Sequence, residues 1–232
     1  MDRLAEPSAP GARQPHDGRA GDLDLADGAS ADTQRRLAAA AVECFAEHGF
    51  HGTTTRAIAN AAGMSSAGLY IHHSSKEELL YRISLHGHQV ALQVITDAAS
   101  TSADPTEQLT AMMRAFVRHH ARHHTTARVL NYELSALSPE HQQEVFTIRK
   151  AIDRLMLDVI EAGVARGQFH TPSPRMTSVA LESLTIDVAR WYRDDLPWTP
   201  EQIADHFGEL ALRMVGARDW GVAAHTSRPS PA

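Results

Sequence analysis

Residues 53–80 read TTTRAIANAAGMSSAGLYIHHSSKEELL, and this stretch decides the fold. Thr54 has the residue type that caps a helix start, which predicts a helix over Arg56–Ala61 with Ile58 as its inward apolar anchor. Gly63 follows Ala61-Ala62, where the chain must leave that helix through a backbone conformation that glycine tolerates best. Ser65 or Ser66 caps a second helix running from Ser66 to His72. Ser75 then caps a third, with Glu78 three residues later in a capping-box arrangement. Two short helices joined by a tight turn, with another capped start behind them, make a helix-turn-helix. Its second helix is short enough to enter a DNA major groove.

The string Thr54-Thr55-Arg56, Ile58-Ala59, Ala62-Gly63, Leu69-Tyr70, His72 and Ser75-Lys76-Glu77-Glu78-Leu79 resembles the N-terminal domain of the TetR family of bacterial repressors, over roughly residues 33–82. The resemblance implies an all-α protein: a three-helix, helix-turn-helix head on a larger helical bundle that binds a ligand and dimerises. It also implies that Ser66, Ala67, Gly68, Tyr70 and His72 face DNA, with Thr54, Thr55 and Arg56 at the start of the supporting helix. Lys76 is expected at the N-terminus of the fourth helix, where backbone donors and the helix dipole favour a phosphate. With Ser, Ala and Gly at its tip the second helix has few bidentate readers, so Arg56, water and DNA shape are expected to share the specificity. The bland alternative for Tyr70 and His72 is packing within a small bundle. One position departs from the family pattern: His73 stands where an apolar Phe is usual. A histidine fills much of that volume, so the fold is expected to survive.

Outside this stretch, composition narrows the rest. Residues 1–32 are rich in Gly, Ala, Asp and Pro and have no apolar period, so they read as a disordered tail. Their three arginines face seven acidic residues, so of the chain's net charge of −6 this tail holds −4, leaving −2 for the remainder. DNA binding must then rest on a local patch, doubled in a dimer. Cys44 is the single cysteine. It excludes an intrachain disulfide or thiolate cluster and reads as an inert residue on the apolar face of the first helix. Neither a leader peptide nor a membrane span is recognised, which predicts a cytoplasmic protein without a membrane partner.

From residue 33 the sequence reads as helix, organised as a DNA-binding domain over 33–82, a ligand-binding and dimerisation domain over 83–218 and a tail over 219–232. Long helices are expected at Lys76–Ala99, from Pro105, from Pro139 to Gly167, at Met176–Tyr192 and from Pro200 to about Val215, with a short one at Ala127–Leu137. On the last two long helices, Val179, Leu184 and Val188, and Ile203, Phe207, Leu210 and Met214, suit a four-helix homodimer contact; closing the monomer core is the alternative.

The stretch ARWYRDDLPWTPEQIA (189–204), with GVARGQF (163–169), resembles a branch of the same family that controls lipid or sterol breakdown in response to acyl-CoA thioesters. That likeness, covering about residues 120–217, implies an anionic effector held by Arg190, Trp191, Tyr192 and Arg193. An acyl pocket would be lined by Met112, Met113, Phe116 and Met156. Pairing of Arg190 and Arg193 with Asp187, Asp194 or Asp195 is the competing reading, as is an ordinary core for the methionines. In RHHARHH (118–124), His119/His123 and His120/His124 are each one turn apart. A metal site, the entrance of an anionic-ligand pocket and an exposed helix end are all compatible with that spacing. No nucleophile triad, phosphate loop or complete metal signature is present, so neither a catalytic residue, a cofactor nor a metal ligand is assigned. The chain reads as a ligand-responsive repressor of a palindromic double-stranded operator rather than a histidine-rich metalloenzyme. A regulator with the same head that senses a drug-like compound or a metal is the alternative.

Overall fold

The computed structural model describes residues 29–217. Residues 1–28 and 218–232, which hold nearly all of the two expected tails, lie outside them. The described residues form α1 (Ala29–Gly52), α2 (Thr55–Ala61), α3 (Ser66–His72), α4 (Lys76–Ser100), α5 (Pro105–Arg122), α6 (His124–Tyr132), a 3-10 turn (Leu134–Ala136), α7 (Pro139–Ala165), α8 (Pro174–Trp191) and α9 (Pro200–Met214). Among them there is no strand. The first helix begins four residues before the boundary drawn from composition, and Ala31 is already buried.

Local chemistry sets most helix starts. Thr54, Ser65, Ser75, Asp104, Ser138, Ser173 and Thr199 each accept a hydrogen bond from a backbone N–H in the first turn. Each satisfies a donor that would otherwise be orphaned. α1 loses helical geometry at Gly49 (φ 70°), and the turn between α2 and α3 passes through Gly63 (φ 67°), both conformations that a side chain would strain. α6 differs from expectation. It starts at His124 rather than Ala127, and it breaks at Glu133 into the 3-10 turn; neither flanking residue supplies a side-chain cap.

One apolar cluster joins Leu37, Phe45, Ile58, Leu69, Leu79 and Leu80 of the head to Val129, Leu130 and Leu134 of the body. A second fills the bundle with Ile95, Leu109, Met112, Met113, Met156 and Ile160, and a third holds Val117, Val188, Tyr192 and Ile203. α4 runs through the boundary at residue 82 and serves both parts. Its first two turns are pinned to the start of α7: Glu77 Oε1 accepts from Ser138 N at 2.9 Å and from His141 Nδ1 at 2.8 Å. The Tyr81 hydroxyl donates to Glu144 at 2.6 Å, and its ring stacks on that of His141 at 3.7 Å. Further along α4, a Cβ added at Gly87 would lie 2.1 Å from Leu130 Cδ1, so any side chain there would displace the end of Leu130.

Candidate DNA-binding face and effector cavity

α3 buries one side chain, Leu69, against the head core. That single anchor leaves the opposite face open. Tyr70 is 54% exposed and Ile71 80% exposed. The Tyr70 hydroxyl lies 3.2 Å from Thr55 Oγ1, which fixes the ring over the start of α2. Thr54, Arg56 and Ala67 are exposed, and Ser66, Gly68 and His72 half-buried, so the residues expected to meet DNA are open to solvent at least in part. Packing within the bundle therefore does not account for Tyr70. Ile71 was not anticipated. The signal for it was an apolar residue off the inward stripe, and an exposed apolar side chain here matches the methyl group of thymine.

Lys76 stands at the N-terminus of α4, as expected, but its side chain is engaged within the protein. Its ammonium donates to the Phe50 and Thr53 carbonyls, both at 2.7 Å, and sits 4.3 Å from the centre of the Phe50 ring. It closes the end of α1 onto the start of α4, and it is not a free cation aimed outwards. Beside it, His73 is buried with neither ring nitrogen hydrogen-bonded, and burial holds its pKa below the ordinary histidine value. Cys44 is half-buried. Burial, with Glu43 and Glu47, raises its pKa and keeps it a thiol.

A cavity of about 380 Å³ lies in the body between α4, α5, α6, α7 and α8. Val90, Val94, Phe116, Leu130 and Ile186 give it apolar walls, and its polar groups are mostly imidazoles: His86, His88, His119, His120 and His123. His88 Nδ1 lies 2.8 Å from the Ser84 carbonyl and His120 Nδ1 lies 2.9 Å from that of Phe116. A carbonyl only accepts, so each Nδ1 carries the proton and each Nε2 is an acceptor. Burial pushes both pKa values down to about 4, so both rings are neutral at physiological pH. The one cation on the wall is Arg149. Its Nη1 donates to Asn131 Oδ1 at 2.8 Å and to His88 Nε2 at 3.1 Å, both neutral acceptors. The nearest acids, Asp153 and Glu182, act on its charge from beyond ion-pair distance. Asp153 faces Arg175 at 4.0 Å, and burial and then Asp153 push Glu182 up to about 8. Arg149, His88 and Asn131 were not anticipated from sequence; the histidine run was, and His119, His120 and His123 all reach the cavity.

The effector residues read from sequence do not come together. Phe116 lines the cavity, but Met112, Met113 and Met156 are fully buried in the bundle core, each removing about 1.5–3 kcal/mol of apolar surface from water. Arg190 is exposed and paired with Asp187 at 2.6 Å, on a separate recess next to α1 and α6. Trp191 and Tyr192 pack against the third cluster, and Arg193 is exposed. Among the described residues no three His, Cys, Asp or Glu side chains converge as a metal site.

On α8 and α9, Val179 and Leu184 are exposed and Leu210 is half-buried, while the half-buried Phe207 and Met214 pack against the third and second clusters. Val188 and Ile203 are instead buried within the monomer, where α5 packs between the two helices. Their role is corrected to the protomer's own core. Among the described residues no helix is long and apolar enough to cross a membrane.

Comparison with known proteins agrees with this geometry. Residues 37–83 match the family described as bacterial regulatory proteins, tetR family, and residues 102–215 match the tetracyclin repressor-like C-terminal domain. A solved bacterial regulatory protein in the tetR family from Rhodococcus RHA1 is 41% identical, with a TM-score of 0.77 over 81% of this chain and 98% of that one. The HTH-type transcriptional repressor KstR2 of Mycobacterium tuberculosis is 28% identical over 78% of this chain and 91% of its own length. The structure of AibR in complex with isovaleryl coenzyme A and operator DNA, 22% identical, shares the fold, with a TM-score of 0.72 over 80% of this chain and 99% of that one.

Proposed function

We propose that this chain, which belongs to the TetR family of bacterial transcription regulators, is a cytoplasmic homodimeric repressor released from a palindromic operator by a small effector in the α4–α8 cavity. Family membership sets the metalloenzyme alternative aside. The observation that carries the reading is the pairing of an exposed recognition helix with an apolar cavity on a shared element, α4. Two recognition helices of a dimer reach successive major grooves only about 34–36 Å apart. An effector that favours another separation lowers operator affinity by its differential affinity for the two states.

On the DNA side Ser66, Ala67, Gly68, Tyr70, Ile71 and His72 meet the groove, with Thr54, Thr55 and Arg56 on the flanking backbone. The dimer forms through Leu184 and Val179 of α8 with the half-buried Phe207, Leu210 and Met214 of α9. Of the finer reading of the effector, an acyl-CoA thioester, the cavity walls support the acyl part alone. The cationic segment at 190–193 does not adjoin those walls, so the nucleotide end would lie outside.

The test begins with selection of an operator from random duplexes by the full-length protein, followed by titration of the selected duplex. Tyr70→Ala should weaken binding roughly ten-fold or more with unchanged helicity, and Leu184→Asp should convert a dimer to monomer in sedimentation. A wild type that sediments as a monomer, or selects no sequence, would remove the proposal.

A further inference from the structure

We infer that the α4–α8 cavity binds a compact apolar carboxylic acid, with the free carboxylate received by Arg149. This rests on the cavity being the effector site and names what that site recognises.

Three observations carry it. Arg149 brings a permanent positive charge to a wall otherwise built from apolar side chains and imidazoles, of which His88 and His120 carry their proton on Nδ1 alone. Among the described residues that charge has no ion pair: its hydrogen bonds go to His88 and Asn131, both uncharged. A part-buried guanidinium that Asp153 and Glu182 act on only from beyond ion-pair distance remains costly, and an anion in direct contact relieves that cost. Finally, the bonds to His88 and Asn131 use only Nη1, and they hold the guanidinium plane in place for a bidentate partner. A carboxylate matches the fork and keeps the rest of the ligand apolar, as the walls of Val90, Val94, Phe116 and Ile186 require.

Size sets the upper limit. A dry cavity of about 150 Å³ holds one benzene, so about 380 Å³ corresponds to roughly fifteen non-hydrogen atoms. A medium-chain or small cyclic acid fits; a coenzyme A moiety does not.

Isothermal titration of the full-length protein with decanoate, methyl decanoate and decanoyl-CoA tests the assignment. Decanoate should bind roughly ten-fold or more tightly than its methyl ester. Arg149→Gln should weaken the acid to the level of the ester while leaving the ester unchanged, and Arg149→Lys should keep a preference for the acid. If Arg149→Gln does not fold, the acid-to-ester ratio on the wild type and Arg149→Lys still decides. Equal binding of acid and ester, or no binding of either, overturns the carboxylate assignment. Binding of decanoyl-CoA alone overturns it too, but leaves the cavity standing as the effector site.

Discussion

His73 sits in the head core with both ring nitrogens buried and unbonded, an arrangement that costs stability because the imidazole's water contacts are lost and not replaced. Replacing it with Phe, the residue usual in the family at this position, should therefore stabilise the protein by about 1–3 kcal/mol in urea unfolding. A variant less stable than wild type would mean that the pocket cannot take the larger ring. Lys76 poses the opposite case. Its ammonium satisfies two carbonyls at the end of α1, so Lys76→Ala should cost about 1.5–3 kcal/mol of stability before it affects DNA. Full stability with selective loss of operator binding would restore Lys76 as a phosphate contact. The two residues were not equally legible. His73 announced itself by departing from a pattern. Lys76 did not, because a lysine at a helix start reads as a phosphate ligand whether or not carbonyls twenty-odd positions upstream occupy it.

The helices were legible wherever their ends carry their own chemistry. Ser65, Ser75, Asp104 and Ser138 cap at the predicted places because a cap is a contact between near neighbours in sequence. α6 was misplaced at both ends because no side chain caps it. The cavity was illegible for a related reason: Arg149 lies 61 positions from His88 and 18 from Asn131, and no helical period links them. Nor can a period separate a helix's own core face from a partner's, and so Val188 and Ile203 read as interface. The element that joins cavity to head is α4, and its lock on α7 makes a prediction. Glu77 and Tyr81 hold the first turns of α4 to Ser138, His141 and Glu144, one to two turns from the cavity wall. If displacement of α4 and α7 together carries the signal, the double variant Glu77→Ala/Tyr81→Phe should bind effector within about two-fold of wild type. Its effector-induced release from operator should be strongly reduced. Unchanged release in an anisotropy titration would show that α4 alone transmits.

Across the whole molecule, buried titratable groups set a pH optimum that follows from opposite signs. His88 and His120 have folded pKa values of about 4 and His119 of about 3, and His73 is also lowered, all below the ordinary 6.5. The unfolded chain therefore takes up these protons first, and the stability present above about pH 6.5 is lost as pH falls towards 4. Glu182 acts the other way, since its folded pKa of about 8 lies above the ordinary 4.5. Its contribution is complete below about 4.5 and is lost as pH rises through 8. Between 4.5 and 6.5 four histidines outweigh one glutamate, so stability rises with pH; well above 6.5 only the glutamate changes, so it falls. Urea midpoints measured from pH 4.5 to 8.5 should accordingly pass through a maximum near 6.5. Glu182→Gln keeps the shape and hydrogen-bonding capacity but removes the charge, and it should flatten the limb above 6.5 while leaving the acid limb unchanged. His120→Gln should make the acid limb shallower by about one proton, about 1.4 kcal/mol per pH unit at its steepest. A wild type whose stability is flat from pH 5 to 6.5 would mean that these imidazoles take up protons without unfolding, and that the cavity wall is charged in the acid range.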